Sequence, residues 1–332
     1  MRNSIASWDR YSIDATPIYF SRKTADWFVP NQEGDRVLQS LYNKNGDCYG
    51  KEDNRFLSRL PEQGSPGYTG RASSLTLKNI RELWFHITNR CNMACSHCLF
   101  SSSPEEEAEL SAEDILSLAG EAWQQGCRLF ALTGGEPLVH REIDRIVNGI
   151  LELPDTHLVI LTNGLLIKKL FSSLNGDSHR VHLQISLDGL EENHDSLRGK
   201  DAFSKLTANL QWLKKEGIFY TLSMCVTRQN IPDMEPMIDF AASVGAKNVH
   251  FMWYFIRGRG TGQQFAHPEK LFINLTLAAR KTENLGIPID PLASLKSREF
   301  SPPGTTHDGS TPGWESLAIG NDKKLYPSDA LH

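Results

Sequence analysis

The chain has 332 residues, of which 39% are hydrophobic and 23% are charged, as is typical of a soluble globular protein with one large domain and an appendage. A net charge of −5 and a pI near 6.1 disfavour a nucleic-acid-binding surface, which is normally basic. Because no apolar stretch approaches roughly 20 residues and no signal-peptide pattern is present, we expect a cytoplasmic protein without a membrane partner.

Residues 1–60 are predicted to form a small, separate α+β unit. Two short strands are expected at 17–21 and 25–30, followed by a helix at 33–46 in which apolar residues recur at helical spacing. A second short helix is expected at 52–60. Residues 61–79 include a stretch rich in Pro, Gly and Ser, which predicts a linker.

Residues 80–262 alternate between apolar strand segments and helical segments. Buried strands are predicted at 82–88, 128–132, 158–162, 182–187, 219–226 and 248–255. Continuous apolar runs are typical of parallel strands covered on both faces, and the alternation requires right-handed crossovers. The sequence therefore predicts an α/β fold, an open TIM-like partial (βα)6 barrel. Residues 263–332 are predicted to contribute a C-terminal helix and an incomplete β-hairpin.

Three cysteines in eight positions follow the first strand of this series. CNMACSHC places Cys91, Cys95 and Cys98 beyond its carboxyl end, where parallel α/β folds carry their chemistry. The residues are compatible with zinc completed by His97, or with an iron–sulfur cluster that has one iron not held by protein. Zinc is disfavoured because the adjacent side chains of His97 and Cys98 diverge. The other cysteines are predicted to be apolar packing residues: Cys48, Cys127 and Cys225.

These motifs resemble those of the radical S-adenosylmethionine (radical SAM) family. The cysteine spacing, TGGEP at 133–137 and SLDG at 186–189 carry the resemblance, which extends over residues 80–260. It implies that the three cysteines hold three irons of a 4Fe–4S cluster and that S-adenosylmethionine chelates the fourth. The family usually has an aromatic residue before the third cysteine; His97 stands there and can still pack against adenine.

The resemblance also implies roles for residues that follow the second and fourth strands. Gly134, Gly135 and Glu136 are similar to the loop that receives the methionine amino group, although two glycines also suit a plain turn. Ser186 and Asp188 are similar to the pair that faces the ribose or the carboxylate. An Asx-turn that closes the strand is the alternative for this pair.

Two further cofactor contacts are expected. Arg198, in HDSLRG, is similar to an arginine that pairs with the methionine carboxylate in several peptide-modifying members, with a solvated loop arginine as the alternative. Asn163 is expected either to contact the cofactor or to cap the next helix. The catalytic acid or base is not identifiable from the sequence; Asp188, Arg198 and His250 are candidates by position.

Both ends of the chain carry looser resemblances. Residues 17–60 resemble winged-helix domains that bind a leader peptide at a sheet edge, with a dimerisation or lid element as the alternative. Residues 314–332 resemble the first hairpin of a SPASM or twitch auxiliary-cluster domain. Ser328 stands where that pattern has a cysteine, and no cysteine follows Cys225, so we expect a truncated domain without an auxiliary cluster.

The expected function is that of a radical SAM enzyme. The resemblance implies reductive cleavage of S-adenosylmethionine at a 4Fe–4S cluster and hydrogen-atom abstraction from a precursor peptide or protein, with flavodoxin or ferredoxin as the reductant. The alternatives are tailoring of a porphyrin or other small molecule, a non-catalytic zinc or redox-sensing protein, and an inactive fragment.

Overall fold

The computed structural model describes residues 8–13, 16–21, 27–42, 50–58, 60, 79–174, 176, 178–290, 313 and 315–331. The chain divides into two compact units, Met1–Thr76 and Leu77–His332. Most of the predicted linker, and Cys48, lie outside the described residues. Within the described part of the chain, no helix combines the length and the apolar character that crossing a membrane requires.

The described residues of the first unit form a three-stranded antiparallel sheet and two helices. The strands, in spatial order, are β1 (Trp8–Ile13), β2 (Thr16–Ser21) and β3 (Trp27–Phe28). The helices are α1 (Gln32–Tyr42) and α2 (Lys51–Leu57). The sequence prediction missed β1.

An ion pair made by a residue of β1 explains why the sequence did not predict this strand. Trp8 is buried with Tyr19 and Leu38, and Arg10, two residues after Trp8, lies on the same face of the strand. Arg10 donates to both carboxylate oxygens of Asp35 at 2.8 Å, and the Tyr19 hydroxyl donates to Asp35 at 2.7 Å. A charged residue on the strand face that also carries Trp8 disrupts the apolar alternation that predicts a strand.

The second unit is built on an eight-stranded sheet in the order β11-β10-β4-β5-β6-β7-β8-β9. Its strands are β4 (Glu82–Thr88), β5 (Leu129–Gly134), β6 (His157–Thr162), β7 (Val181–Ser186), β8 (Tyr220–Cys225), β9 (Asn248–Met252), β10 (Ser316–Ile319) and β11 (Leu325–Tyr326). The α-helices in its described part are α3 (Ala112–Gln124), α4 (Ile143–Leu151), α5 (Ile167–Ser173), α6 (Glu191–Arg198), α7 (Ala202–Lys215), α8 (Met234–Val244) and α9 (Pro268–Leu285).

Strands β4 to β9 pair in parallel and in chain order, which confirms the predicted α/β class and is consistent with an open partial barrel. Alternate residues of these strands enter one apolar core with the helices; examples are Phe85, Leu132, Ile160, Leu183 and Leu222. The residues between them on β7 and β8 are polar, so this part of the sheet has one apolar and one polar face.

The C-terminal hairpin joins the same sheet. Strands β10 and β11 pair antiparallel, as expected for a hairpin, but β10 also pairs in parallel with β4, with Ser316 opposite Glu82. This second pairing was not predicted, because strand partners distant in the chain leave no local pattern. The hairpin thus extends the sheet beside the strand that leads to the cysteines.

Two boundaries differ from the predictions near the polar rim of the sheet. Helix α6 was not predicted, and Arg198 is its last residue rather than part of a solvated loop. Strand β9 ends at Met252 instead of residue 255. The apolar side chains that suggested a longer strand belong to an exposed segment, in which Trp253 and Phe255 are 55% and 51% accessible.

Candidate active site

A cavity of about 640 Å³ opens at the carboxyl ends of the parallel strands. We call one part of its lining the cysteine side, formed by residues that follow β4 and β6 or end β5 and β7: Cys91, Cys95, Cys98, Gly134, Asn163 and Ser186. We call another part the β9 side: His250, Met252, Trp253, Phe255, Leu275 and Asp290. A volume of this size is ordinary for a small-molecule site.

The three predicted metal-binding cysteines lie together on one loop after β4. The backbone N–H of Cys91 donates to the carbonyl of Ser103 at 3.0 Å, and that of Cys98 to the carbonyl of Cys95 at 3.2 Å. Burial raises the pKa of Cys91 to about 12 and also raises that of Cys95. A nearby cation, such as a metal cluster would supply, would favour the thiolate forms of Cys91 and Cys95.

Arg259, which sequence reasoning did not assign, holds this loop from the segment after β9. Its guanidinium donates to the carbonyls of Cys95 at 2.8 Å and Ser102 at 2.7 Å, and its backbone N–H donates to the carbonyl of Cys98. Gly258 has φ of +61°, and a Cβ there would lie 2.3 Å from the Leu99 carbonyl oxygen. The only sequence signal was RGRG at 257–260, directly after the last parallel strand.

The glycines of TGGEP allow the loop after β5 to pass directly against the cysteine loop. A Cβ on Gly134, whose φ is +140°, would lie 2.3 Å from the Thr88 carbonyl oxygen. A Cβ on Gly135 would lie 2.3 Å from the Arg90 carbonyl oxygen. Both glycines also line the cavity, so they combine a close backbone approach with access to a ligand.

Glu136 joins the loops after β5 and β6 from inside the protein. Its carboxylate accepts from the Leu138 N–H at 3.0 Å, the Thr162 hydroxyl at 2.8 Å and the Asn163 N–H at 2.7 Å. Burial raises the pKa of Glu136, and the N–H groups of Asn163 and Leu138 oppose that effect. Asn163 in turn donates from Nδ2 to Asn92 Oδ1 at 2.7 Å, which ties this loop to the cysteine loop.

Asp188 organises a second buried cluster beside Cys95. Its carboxylate accepts from Arg198 Nε at 2.5 Å, from the Cys225 N–H at 2.9 Å, and lies 2.9 Å from His97 Nε2. Burial opposes ionisation, but the charges of Arg198 and His97 hold the pKa of Asp188 well below its usual value. This contact engages His97 Nε2, whereas Nδ1 is buried without a hydrogen-bond partner in the described structure.

The structure brings the residues singled out in the sequence to one rim, in two groups. Most of them line the cavity: Cys91, Cys95, Cys98, His97, Gly134, Gly135, Asn163, Ser186 and Arg198. Glu136 and Asp188 are instead buried, at 1% and 0% accessibility, and their carboxylates bond to other groups of the protein. Cys127 packs in the core as expected, whereas Cys225 lines the cavity. The residues of the β9 side had no specific sequence motif; His250 was a candidate by position alone.

The family comparison agrees with this geometry. Residues 85–241 match the model of the radical SAM superfamily. The chain therefore carries a radical SAM domain, and members of that superfamily are enzymes that use a 4Fe–4S cluster and S-adenosylmethionine. The predicted resemblance to the radical SAM family is confirmed, and so are the cofactors that this resemblance implies.

The similarity to individual curated relatives covers the radical SAM domain of this chain and only part of the length of each relative. The antilisterial bacteriocin subtilosin biosynthesis protein AlbA of Bacillus subtilis is 31% identical over 56% of this chain and 42% of AlbA. A probable GTP 3′,8-cyclase of Sulfolobus acidocaldarius is 27% identical over 57% of this chain and 61% of the cyclase. The chain thus spans about half the length of the curated relatives it matches.

A solved structure supports the fold. The crystal structure of Streptococcus suis SuiB bound to precursor peptide SuiA matches with a TM-score of 0.65 and covers 98% of this chain and 82% of that chain. The sequences are 13% identical, so the likeness is one of fold.

Proposed function

We propose that this protein is a radical SAM enzyme that modifies a precursor peptide. The observation that carries the proposal is the composition of the cavity. Three cysteine thiols, the Gly134–Gly135 backbone and the Arg198 guanidinium all open onto one space at the carboxyl end of a parallel sheet.

The donor set fits the cofactors of the family. Cys91, Cys95 and Cys98 would hold three irons, which leaves one iron of a 4Fe–4S cluster for the amino and carboxylate groups of S-adenosylmethionine. Arg198 offers a guanidinium suited to a carboxylate. Bound together, the reduced cluster and S-adenosylmethionine are the source of an oxidising radical for hydrogen-atom abstraction.

The protein's own residues hold, orient and enclose these groups. Arg259 and the loop of Gly134 and Gly135 fix the path of the cysteine loop through backbone contacts. Asp188 holds the Arg198 guanidinium in place and compensates its charge. Such prior positioning lowers the cost of arranging the reacting groups at the moment of reaction.

Several observations favour a peptide substrate. SuiB, which shares the fold, has been crystallised with a precursor peptide bound, and AlbA is a bacteriocin biosynthesis protein. The first unit of this chain contains a small antiparallel sheet in which β1 pairs on one side with β2. We propose that this unit, residues 1–60, binds the N-terminal part of the peptide by strand addition.

The test is anaerobic reconstitution followed by iron and sulfide counts and electron paramagnetic resonance of the reduced protein, with and without S-adenosylmethionine. We expect about four irons per chain and a signal that changes on adding the cosubstrate. Cys95→Ala should lose the cluster and abolish formation of 5′-deoxyadenosine. The control Cys127→Ala, in the core, should retain both. Zinc in place of iron, or a signal indifferent to the cosubstrate, would contradict the proposal.

A second candidate is tailoring of a small molecule, which the similarity to a probable GTP 3′,8-cyclase favours. The two candidates differ in which substrate donates the hydrogen atom. Peptides expressed in deuterated medium from short reading frames beside the gene should transfer deuterium to 5′-deoxyadenosine if the substrate is a peptide. Transfer from a deuterated nucleotide or porphyrin, and none from peptide, would favour the second candidate. In either case we propose a cytoplasmic setting with flavodoxin or ferredoxin as the electron donor.

A further inference from the structure

A row of polar side chains crosses the inner face of the sheet at the level of the cavity. The strand register places Ser186 opposite Ser223 and Ser223 opposite His250. A parallel bridge one residue upstream continues the row and places Asp290 beside His250. Ser186, His250 and Asp290 all line the cavity, so the row leads from the cysteine side to the β9 side.

The hydrogen bonds of His250 determine which ring nitrogen can donate. Nδ1 lies 3.1 Å from the Gln184 amide nitrogen and 3.3 Å from the Ser223 hydroxyl. Because an amide nitrogen only donates, Nδ1 accepts and the proton of the neutral ring lies on Nε2. Burial lowers the pKa of His250, which favours that neutral ring, although Asp290 opposes the effect. The hydrogen bonds of His250 to the described residues all involve Nδ1, so Nε2 remains a free donor in a residue that lines the cavity.

Asp290 supplies an acceptor next to this donor. Both of its carboxylate oxygens accept from the Asn248 amide nitrogen, at 2.7 and 2.8 Å. A carboxylate has about four lone-pair positions, so it keeps the capacity to accept from a ligand. A donor and an acceptor on neighbouring positions match the C=O and N–H groups of one residue of an extended peptide, because these two groups point to the same side of a strand. Met252, Trp253 and Phe255, also lining the cavity, add exposed apolar surface for neighbouring side chains.

We propose that His250 and Asp290 form a substrate-binding pair that recognises the backbone of one residue of an extended peptide, with His250 Nε2–H donating to its carbonyl and the Asp290 carboxylate accepting from its N–H. This inference rests on the proposed peptide-modifying function and names the residues that would position the modified segment. It assigns to the β9 side the recognition of substrate rather than of the cofactor.

The experiment uses the cluster-loaded full chain and the peptide encoded by the short reading frame nearest the gene. One readout is the equilibrium Kd of the C-terminal half of that peptide for the unreduced protein, so that contacts of its N-terminal half do not mask the effect. The other is the fraction of 5′-deoxyadenosine that contains deuterium from deuterated peptide. The variants are His250→Phe, which keeps a ring without a donor, and His250→Gln, which restores an N–H. His182→Phe is the matched control, because His182 lies on the same face of the sheet but bonds Thr221.

We expect His250→Phe to raise the Kd and lower the deuterium fraction by about tenfold each, the effect of losing one hydrogen bond of ordinary strength. His250→Gln should recover most of the loss, and His182→Phe should match the wild type.

Wild-type values for both readouts in His250→Phe would overturn the inference. If His250→Phe binds less iron than the wild type, Asp290→Asn replaces it in the test, and the same two losses support the pair while unchanged values reject it. Wild-type protein that cleaves no S-adenosylmethionine would refute the proposed function itself. Wild-type cleavage without deuterium transfer from the peptide would reject the peptide class and this pair with it.

Discussion

The cysteine side and the β9 side of the cavity differ in how their polar groups are used. Around the cysteines, the carboxylates of Glu136 and Asp188 are buried and each has three partners within the protein. On the β9 side, His250 keeps one ring nitrogen unpaired among the residues that the structure describes, and Trp253 and Phe255 are about half exposed. The buried carboxylates of the first region have all their partners within the protein, whereas the second region has polar and apolar groups still available to a ligand.

This difference indicates that the two parts of the cavity have different roles. Groups that hold a fixed cofactor gain from a rigid, fully satisfied surrounding, because any looseness disturbs the geometry of the reacting atoms. Groups that recognise a substrate must remain accessible until the substrate arrives. The comparison predicts that substitutions on the cysteine side reduce stability and cofactor binding, whereas those on the β9 side change substrate use.

The largest effect is expected for Asp188→Asn, which removes the carboxylate that compensates the buried Arg198 guanidinium. An uncompensated buried charge should lower the free energy of unfolding by about 3 kcal/mol. Urea unfolding at pH 7 measures this change. Asp239→Asn is the control, since Asp239 is 57% accessible and pairs with Lys281 at the surface, where the loss should stay below about 1 kcal/mol. Equal losses in the two variants would contradict the central role of Asp188.

Gly135→Ala should have the next largest effect. The added Cβ would meet the Arg90 carbonyl oxygen at 2.3 Å, so the cysteine loop must move. We expect a loss of about 2 kcal/mol, within the range for overpacking, together with a reduced iron content after reconstitution. Gly120→Ala is the matched control because nothing lies within 4 Å of its Cβ position in α3. That variant should gain up to about 1 kcal/mol from helix propensity. A normal iron count in Gly135→Ala would show that the loops pack less tightly than described.

The pH dependence of stability tests the buried cluster around Asp188 in another way. Burial and the charge of Arg198 lower the pKa of His194 to about 4, and its Nδ1 accepts from the Asp188 N–H at 3.1 Å. The pKa of His194 in the folded protein is below that of an unfolded histidine. The stability that neutral His194 contributes to the fold is therefore fully present above pH 6.5 and is lost as the pH falls toward 4. Between pH 7 and pH 5 the loss should be about 2 kcal/mol.

The measurement for His194 is the difference between wild type and His194→Gln in urea unfolding across this pH range. The variant lacks the titrating ring, so its curve should be flatter by the same amount. Parallel curves for the two proteins would mean that His194 takes up its proton without disturbing the fold.

The smallest change in stability is expected for Trp253→Ala. Because Trp253 is 55% exposed, the free energy of unfolding should change by no more than about 0.5 kcal/mol, and iron content should be normal. The KM for peptide should nevertheless rise, since an aromatic surface of the β9 side is lost. Phe219→Ala is the control: Phe219 is 61% exposed but precedes β8 at the other end of the sheet. A rise in KM with Phe219→Ala as well would indicate a nonspecific effect.

The sequence predicted the cysteine side much better than the β9 side, for physical reasons. Three thiols at fixed spacing and a Gly-Gly turn are local patterns, and the strand–helix alternation placed both on one rim. The contacts that complete the site are distant in the chain: Arg259 reaches Cys95, and the side chain of Asp188 accepts from Cys225. His250 and Asp290 become neighbours only through the isolated bridge between Val249 and Ile289, which no local pattern encodes.

The parallel pairing of β10 with β4 has a consequence for biosynthesis. Strand β4 leaves the ribosome more than 200 residues before β10 does, so the edge of β4 that pairs with β10 stays unpaired while those residues are synthesised. An unpaired edge in a chain dominated by distant contacts is a site for incorrect association with other chains. During the same interval, the loop of Cys91, Cys95 and Cys98 lies beside a sheet that still lacks β10 and β11. Slow synthesis or early release of the nascent chain should therefore favour aggregation before the metal site can mature.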